Sequence, residues 1–239
     1  VYKEDDEDYD NIILKEFDLA LRKFITQISD EEVTSRIPQV SYDEINDKIT
    51  YTHPKDPLDV VNGDIVTYTI RVYNEGEIDG YAKEIMDDLP EGLKFLPDNQ
   101  TNKDYRWKMY RKVLEGEEVT DENSVITRGG IDYIPVENVD EAEVIVTDYL
   151  SKEQEKTAGE NLLKAFQPSQ PISETNPAYK EVKVAFEVVE PNGSDRILIN
   201  SAQISEDSDE NGEPVNDVDS EPDEWNEGED DQDKEYIKL

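Results

Sequence analysis

The stretch GDIVTYTIRVYNEGE, residues 63–77, alternates apolar and polar side chains, with Val66, Tyr68, Ile70 and Val72 on one parity. A period of two marks a β-strand that turns one face to a core, and the Gly, Asp and Asn residues at its borders favour turns. Working outward, KEFDLALRKFIT (15–26) repeats the pattern through Phe17, Leu19, Leu21 and Ile25. YKEVKVAFEVVE (179–190) does so through Val182, Val184, Phe186 and Val188. Strands of this kind, separated by Gly, Pro, Asn and Asp, predict a mainly β fold built as an antiparallel sandwich.

One segment breaks the alternation. SKEQEKTAGENLLKAF (151–166) opens with a Ser and a Gln three residues on, and ends with Leu162, Leu163 and Phe166 at helical spacing. That pattern predicts a short inserted helix at about 151–166, interrupted near Gly159. It lies inside a long insertion, 97–178, which also carries YRWKMY and the strand-like VIVTDYL.

Charge divides the chain. The 239 residues hold 61 acidic and 24 basic side chains, a net charge of −37. Such a surface repels phosphate, which excludes nucleic acid as a partner. No run of about 18 apolar residues exists to insert in a membrane. There is no cysteine, so disulfides and thiolate chemistry are excluded together. A net −18 falls on residues 11–205, whereas the ends are far more acidic for their length. The division expected is therefore an acidic linker over 1–14, a folded domain over 15–205 and an acidic, solvated tail over 206–239. The ends resemble each other: EDDEDYDNIIL (4–14) aligns without a gap on EDDQDKEYIKL (229–239). This reads either as one unit of a tandem array, cut from a longer polypeptide, or as a chance match between two acid runs.

Three strands place a polar residue on an apolar face. Lys23 shares parity with Leu21 and Ile25, Asp87 with Ile85 and Leu89, and Asn200 with Leu198, Ala202 and Ile204. Burial lowers a lysine pKa and raises that of an aspartate, so an apolar interior favours a neutral amine and a neutral acid. A neutral amine is a nucleophile, and a protonated carboxyl can polarise the Asn amide by hydrogen bonding to its oxygen. The expected product is an amide between Lys23 and Asn200, formed once with loss of ammonia. The plainer alternatives are a buried Lys23–Asp87 ion pair with no covalent bond, and an Asn200 that merely satisfies main-chain groups at a bulge.

The runs FDLALRKFIT, GDIVTYTIRVYNEGE, IMDDLPEGLKF and ILINSAQIS together resemble the isopeptide-forming, collagen-adhesin-like immunoglobulin sandwiches of Gram-positive surface adhesins and pilus-like fibres. The resemblance covers roughly 15–205. It implies an immunoglobulin-like fold in which a first-strand Lys bonds to a last-strand Asn, with a middle-strand acid as catalyst. Lys23, Asn200 and Asp87 stand at the matching positions, and the acid two residues before the Leu-Pro pair points to Asp87 over Asp88.

A second constellation lies in the tail. DSDENG (207–212) fits the opening of a calcium loop, with Asp207, Asp209 and Asn211 as alternate oxygen donors. The bidentate Glu expected at the twelfth position is replaced by Val218, so Asp217, Asp219 and Asp223 are expected to complete a different arrangement. Hard oxygen donors without His or Cys favour Ca²⁺, which would stiffen a junction between units. The alternative is a flexible acidic spacer.

These expectations describe a structural stalk repeat of a cell-wall-associated surface adhesin, with neighbouring repeats of the same chain as partners and no catalytic turnover. A second expectation is a domain that binds a host protein or glycan through the 97–178 insertion, which carries Trp107. A carboxylate hydrolase is a third, invited only by the abundance of acids.

Overall fold

The computed structural model describes residues 14–155, 160–193, 196–218 and 229–239. Its strands, in chain order, are β1 (Leu19–Ile28), β2 (Glu31–Glu32), β3 (Gln39–Asp43), β4 (Lys48–Thr52), β5 (Leu58–Asp59), β6 (Ile65–Asn74), β7 (Gly80–Asp88) and β8 (Leu93–Phe95). They continue with β9 (Lys108–Lys112), β10 (Ile126–Arg128), β11 (Ile131–Pro135), β12 (Val144–Thr147), β13 (Tyr179–Val188), β14 (Ile197–Asp209) and β15 (Gln232–Lys238). A short helix, α1 (Gln100–Asp104), follows β8.

Among the described residues a five-stranded sheet runs β2-β1-β6-β13-β8. An eight-stranded sheet runs β10-β11-β9-β12-β7-β14-β15-β5, and β3-β4 forms a separate hairpin. All named pairs are antiparallel except β15 with β5. Leu21, Tyr68 and Val184 from the first sheet and Ile85, Ala202 and Ile237 from the second belong to one buried cluster, which makes the fold a two-layer β sandwich. The alternating sets read from the sequence are the inward faces of β1, β6 and β13, each residue at most 2% exposed.

The opposite face of β1 is covered too, since Ala20 and Phe24 are buried. Tyr51 of β4 stacks against Tyr73 of β6 at 4.4 Å between ring centroids, which lays the β3–β4 hairpin over this side.

The 97–178 insertion extends the larger sheet beyond β7: β12 pairs with β7, β9 with β12, and β11 with β9. A short helix of this region is α1, where the Asn99 side chain accepts from the Thr101 amide. In the predicted helix at 151–166, Ser151 makes no side-chain cap bond, a 3-10 turn follows it at Lys152–Gln154, and Glu155 continues in helical conformation. Residues 156–159 lie outside the described residues. Leu163 instead exchanges main-chain hydrogen bonds with Gly80, and the Phe166 amide donates to Gly76 O. Leu163 and Phe166 are buried in this extended form, so main-chain pairing outweighs local helix propensity.

The solvated tail expected over 206–239 is also corrected. Residues 206–209 complete β14, and 232–238 form β15, paired with β14 from Ile197↔Lys238 to Gln203↔Gln232. Ile237 is fully buried, and the inward acids of β15 find cations, which is why an acidic run packs. The same segment finishes the outer edge of β1. The amides of Leu19, Leu21 and Lys23 donate to Asp217 Oδ2 at 2.9 Å, Asp230 O at 2.6 Å and Asp233 Oδ2 at 2.8 Å. The similar run at 4–14 falls, up to residue 13, outside the described residues.

Candidate functional site: a buried lysine, aspartate and asparagine

β1 and β7 lie in different sheets, and their inward side chains meet across the core. Lys23, Asp87 and Asn200 are each fully buried. The strand register fixes their levels: Lys23 pairs with Ile70, Asp87 with Ala202, and Asn200 stands two residues before Ala202 on β14.

Lys23 Nζ donates to Asp87 Oδ2. Asn200 Nδ2 donates to Asp87 Oδ1 at 2.8 Å and to the main-chain oxygen of Asp88 at 2.9 Å. One carboxylate thus touches both the amine and the amide. Asp88 turns its side chain out to solvent and contributes only its carbonyl, so the inward acid is Asp87. The carbonyl accepts hydrogen bonds and donates none, which sets the amide with nitrogen toward Asp87 and Asp88. Asn200 Oδ1 is buried with no hydrogen-bond partner. This differs from the expected contact, a carboxyl proton on the amide oxygen: Asp87 sits on the nitrogen that would leave. Lys23 Nζ lies 5.0 Å from the ring centroid of Tyr68, whose face closes the site on the β6 side.

Burial dominates the electrostatics. Desolvation lowers the Lys23 pKa, opposed by the charge and hydrogen bond of Asp87 and by the more remote Asp88 and Asp233. Desolvation likewise raises Asp87 to about 6, opposed by Lys23 and by the hydrogen bond from Asn200. Both shifts point toward the neutral pair, an amine beside a carboxylic acid.

A charged cluster that the strand alternation did not single out backs this site. Glu235 pairs directly with Asn200 across β14–β15, is fully buried, and accepts from Arg36 Nε, a side chain only 2% exposed. Lys55 Nζ donates to Asp233 Oδ2 at 2.7 Å, Lys234 O at 2.6 Å and Lys23 O at 2.9 Å. His53 approaches Asp233 at 3.6 Å; burial and then Lys55 hold its pKa down to about 4, so it is neutral. Glu235 shares parity with Ile237, so the alternation that exposes Lys23 as inward would have found it. Arg36 and Lys55 sit in non-periodic loops and carry no such signal.

Of the expected cation ligands, Asp207, Asp209, Asn211 and Asp217 fall among the described residues, and the charge of Asp217 helps to raise the Asp207 pKa. Asp209 is engaged within its own turn: its Oδ1 accepts from the amides of Asn211 at 2.7 Å and Glu213 at 3.0 Å. Asp217 caps the Leu19 amide. Asp207 is buried at the end of β14, and Asp219 and Asp223 lie outside the described residues. Among the described residues no three acidic or histidine side chains are grouped so as to hold a metal ion.

Fold and site together define a class: an acidic two-sheet β sandwich with a buried amine, carboxyl and carboxamide in contact. No protein-family model matches the chain, and no curated protein matches it. Among the described residues no helix is long and apolar enough to cross a membrane.

Proposed function

We propose that this chain is a structural stalk repeat of a Gram-positive cell-surface adhesin or fibre, reinforced by a self-formed amide bond between Lys23 and Asn200. The observation that carries the reading is the single buried carboxylate of Asp87 bonded at once to Lys23 Nζ and Asn200 Nδ2. Neutral Lys23 Nζ attacks Asn200 Cγ, Asp87 Oδ2 receives a proton from the attacking nitrogen, and Oδ1 delivers a proton to Nδ2, which leaves as ammonia. One N–C bond forms and one breaks, with no oxidant or external acid. Folding supplies the rate, because neighbours held in a packed core react at a high effective molarity.

A bond between the first strand of one sheet and the penultimate strand of the other suits a molecule under tension. It would let load pass between β1 and β14 without unfolding residues 24–199. The alternative, a ligand site built around Trp107, has less support: the indole is 8% exposed and its Nε1–H donates to Lys183 O at 2.8 Å, so it serves packing.

Intact mass of the purified chain is the test. A chain one ammonia lighter than its sequence, with the deficit lost in Asn200→Ala, supports the reading; a full-mass folded chain overturns it.

A further inference from the structure

A strand edge with no neighbour is normally solvated, yet the outer edge of β1 at Lys23 is held from both of its main-chain groups. Asp233 Oδ2 takes the Lys23 amide at 2.8 Å, and Lys55 Nζ gives a hydrogen bond to Lys23 O at 2.9 Å. The two side chains are themselves joined at 2.7 Å, and Lys55 also reaches Glu235 Oε2 at 3.3 Å. Asp233 stands opposite Ala202, which stands opposite Asp87, so the three occupy one row across β15, β14 and β7. β15 is therefore laddered to the strand that presents Asn200 and clamped by side chains to the strand that presents Lys23.

We infer that Asp233 and Lys55 are positioning residues for the crosslinking step, fixing the Lys23 main chain relative to Asn200 so that the bond forms only after β15 has docked. The inference rests on the Lys23–Asn200 reaction proposed above. Its physical basis is the steep dependence of such reactions on placement: an error of about 1 Å costs on the order of a hundredfold in rate. Asp233 acts in a second way, through charge. The groups around Lys23 are Asp87 on β7, which touches it, Tyr68 on β6, the outward Asp88 acting at longer range, and Asp233 on β15 with Lys55 and Glu235 behind it; Asp87, Asp88 and Asp233 favour the ammonium form.

The experiment follows the mass of freshly synthesised full-length chain with time, across pH, for wild type, Asp233→Ala, Asp233→Asn and Lys55→Met. Asp233→Ala and Lys55→Met should lose ammonia at least about tenfold more slowly at every pH. Asp233→Asn keeps an oxygen for the Lys23 amide but no charge. Its maximal rate should not fall below that of wild type, while the limb of the rate profile that reports Lys23 deprotonation moves to lower pH, which a purely structural role would not produce. Should Asp233→Ala fail to fold, the Asp233→Asn profile alone decides. Wild-type rates in both Asp233→Ala and Lys55→Met, or an Asp233→Asn profile with an unmoved limb, overturn the inference while leaving the crosslink standing. A wild-type chain that never loses ammonia overturns the crosslink and this inference with it.

Discussion

Replacing Lys23 by Met and Asp87 by Asn together removes the amine and the acid of the proposed crosslinking step while leaving an uncharged, similarly shaped interior. Asn200 keeps an oxygen acceptor at position 87, so the double variant differs from wild type chiefly in lacking the bond. A link between β1 and β14 closes a loop over residues 24–199. By the chain-entropy relation for a cross-link of that span, its loss costs about 5 kcal/mol. For a domain of this size each kcal/mol moves the melting temperature by roughly 2–4 °C, so the double variant should melt roughly 10–20 °C lower. Mass spectrometry must show it one ammonia heavier than the substitutions alone predict from the wild-type mass, and calorimetry reads the melting shift. Lys23→Ala alone should lose more, because Asp87 is then buried without its cation. That extra loss has a sign in pH. The folded-state pKa of Asp87 is raised, so stability is fully present below its ordinary value near 3.8 and drains away as pH climbs through the folded value. A wild-type mass deficit combined with a melting shift under a few degrees would refute the entropy argument, and a deficit that survives the double substitution would refute the choice of nucleophile.

Three further outcomes are expected. Arg36→Met leaves buried Glu235 with Lys55 alone, at 3.3 Å, and should destabilise by about 3 kcal/mol, whereas the double change Arg36→Met with Glu235→Met should recover most of the loss in denaturant titration. Gly80→Ala drives a methyl into the Phe17 ring and to 2.5 Å from Ser208 O, which should cost about 1–3 kcal/mol by thermal melting; an unchanged melting temperature would contradict the seam between β7 and β14. Burial and neighbouring acids push Asp207 up to about 7 and Asp231 up to about 8, so both favour the protonated form in the fold. Stability from these two should be complete below the ordinary carboxylate range and fall as pH rises from about 4 to about 8. Millimolar Ca²⁺ should restore the melting temperature at the alkaline end if a cation shares this region, and a calcium-insensitive curve would leave the acids without that role.

The inward faces of β1, β6 and β13 were legible because each buries one side of a regular strand, and period two reports that directly. Lys23, Asp87 and Asn200 were legible for the same reason, as polar residues out of place in an apolar row. The alternation failed where pairing partners decide the outcome. Leu163 and Phe166 carry helical spacing, but main-chain bonds to Gly76 and Gly80 hold them extended. β15 reads as a solvated acid run because its Arg36 and Lys55 partners lie about 180–200 positions away in loops with no period of their own. In the turn at 207–213, Asp209 and Asn211 have the spacing of cation donors, and the Asp209 carboxylate also accepts from the amides of Asn211 and Glu213, a local role that spacing does not reveal.

β15 comes after Asn200 in the chain, and this sets how the molecule would give under load. A ring closed at Lys23 and Asn200 encloses residues 24–199; everything from Ser201 to Leu239 hangs outside it. That segment is held by non-covalent contacts alone, its pairing with β7 and β5, the bonds of Asp217, Asp230 and Asp233 to the edge of β1, and the Arg36 and Lys55 bridges, so it is the part that would peel first when the two ends are drawn apart. Fully extended it would span on the order of 130 Å at ~3.4 Å per residue, a sacrificial leader that would yield and re-zip while the body enclosed by the proposed bond kept its shape.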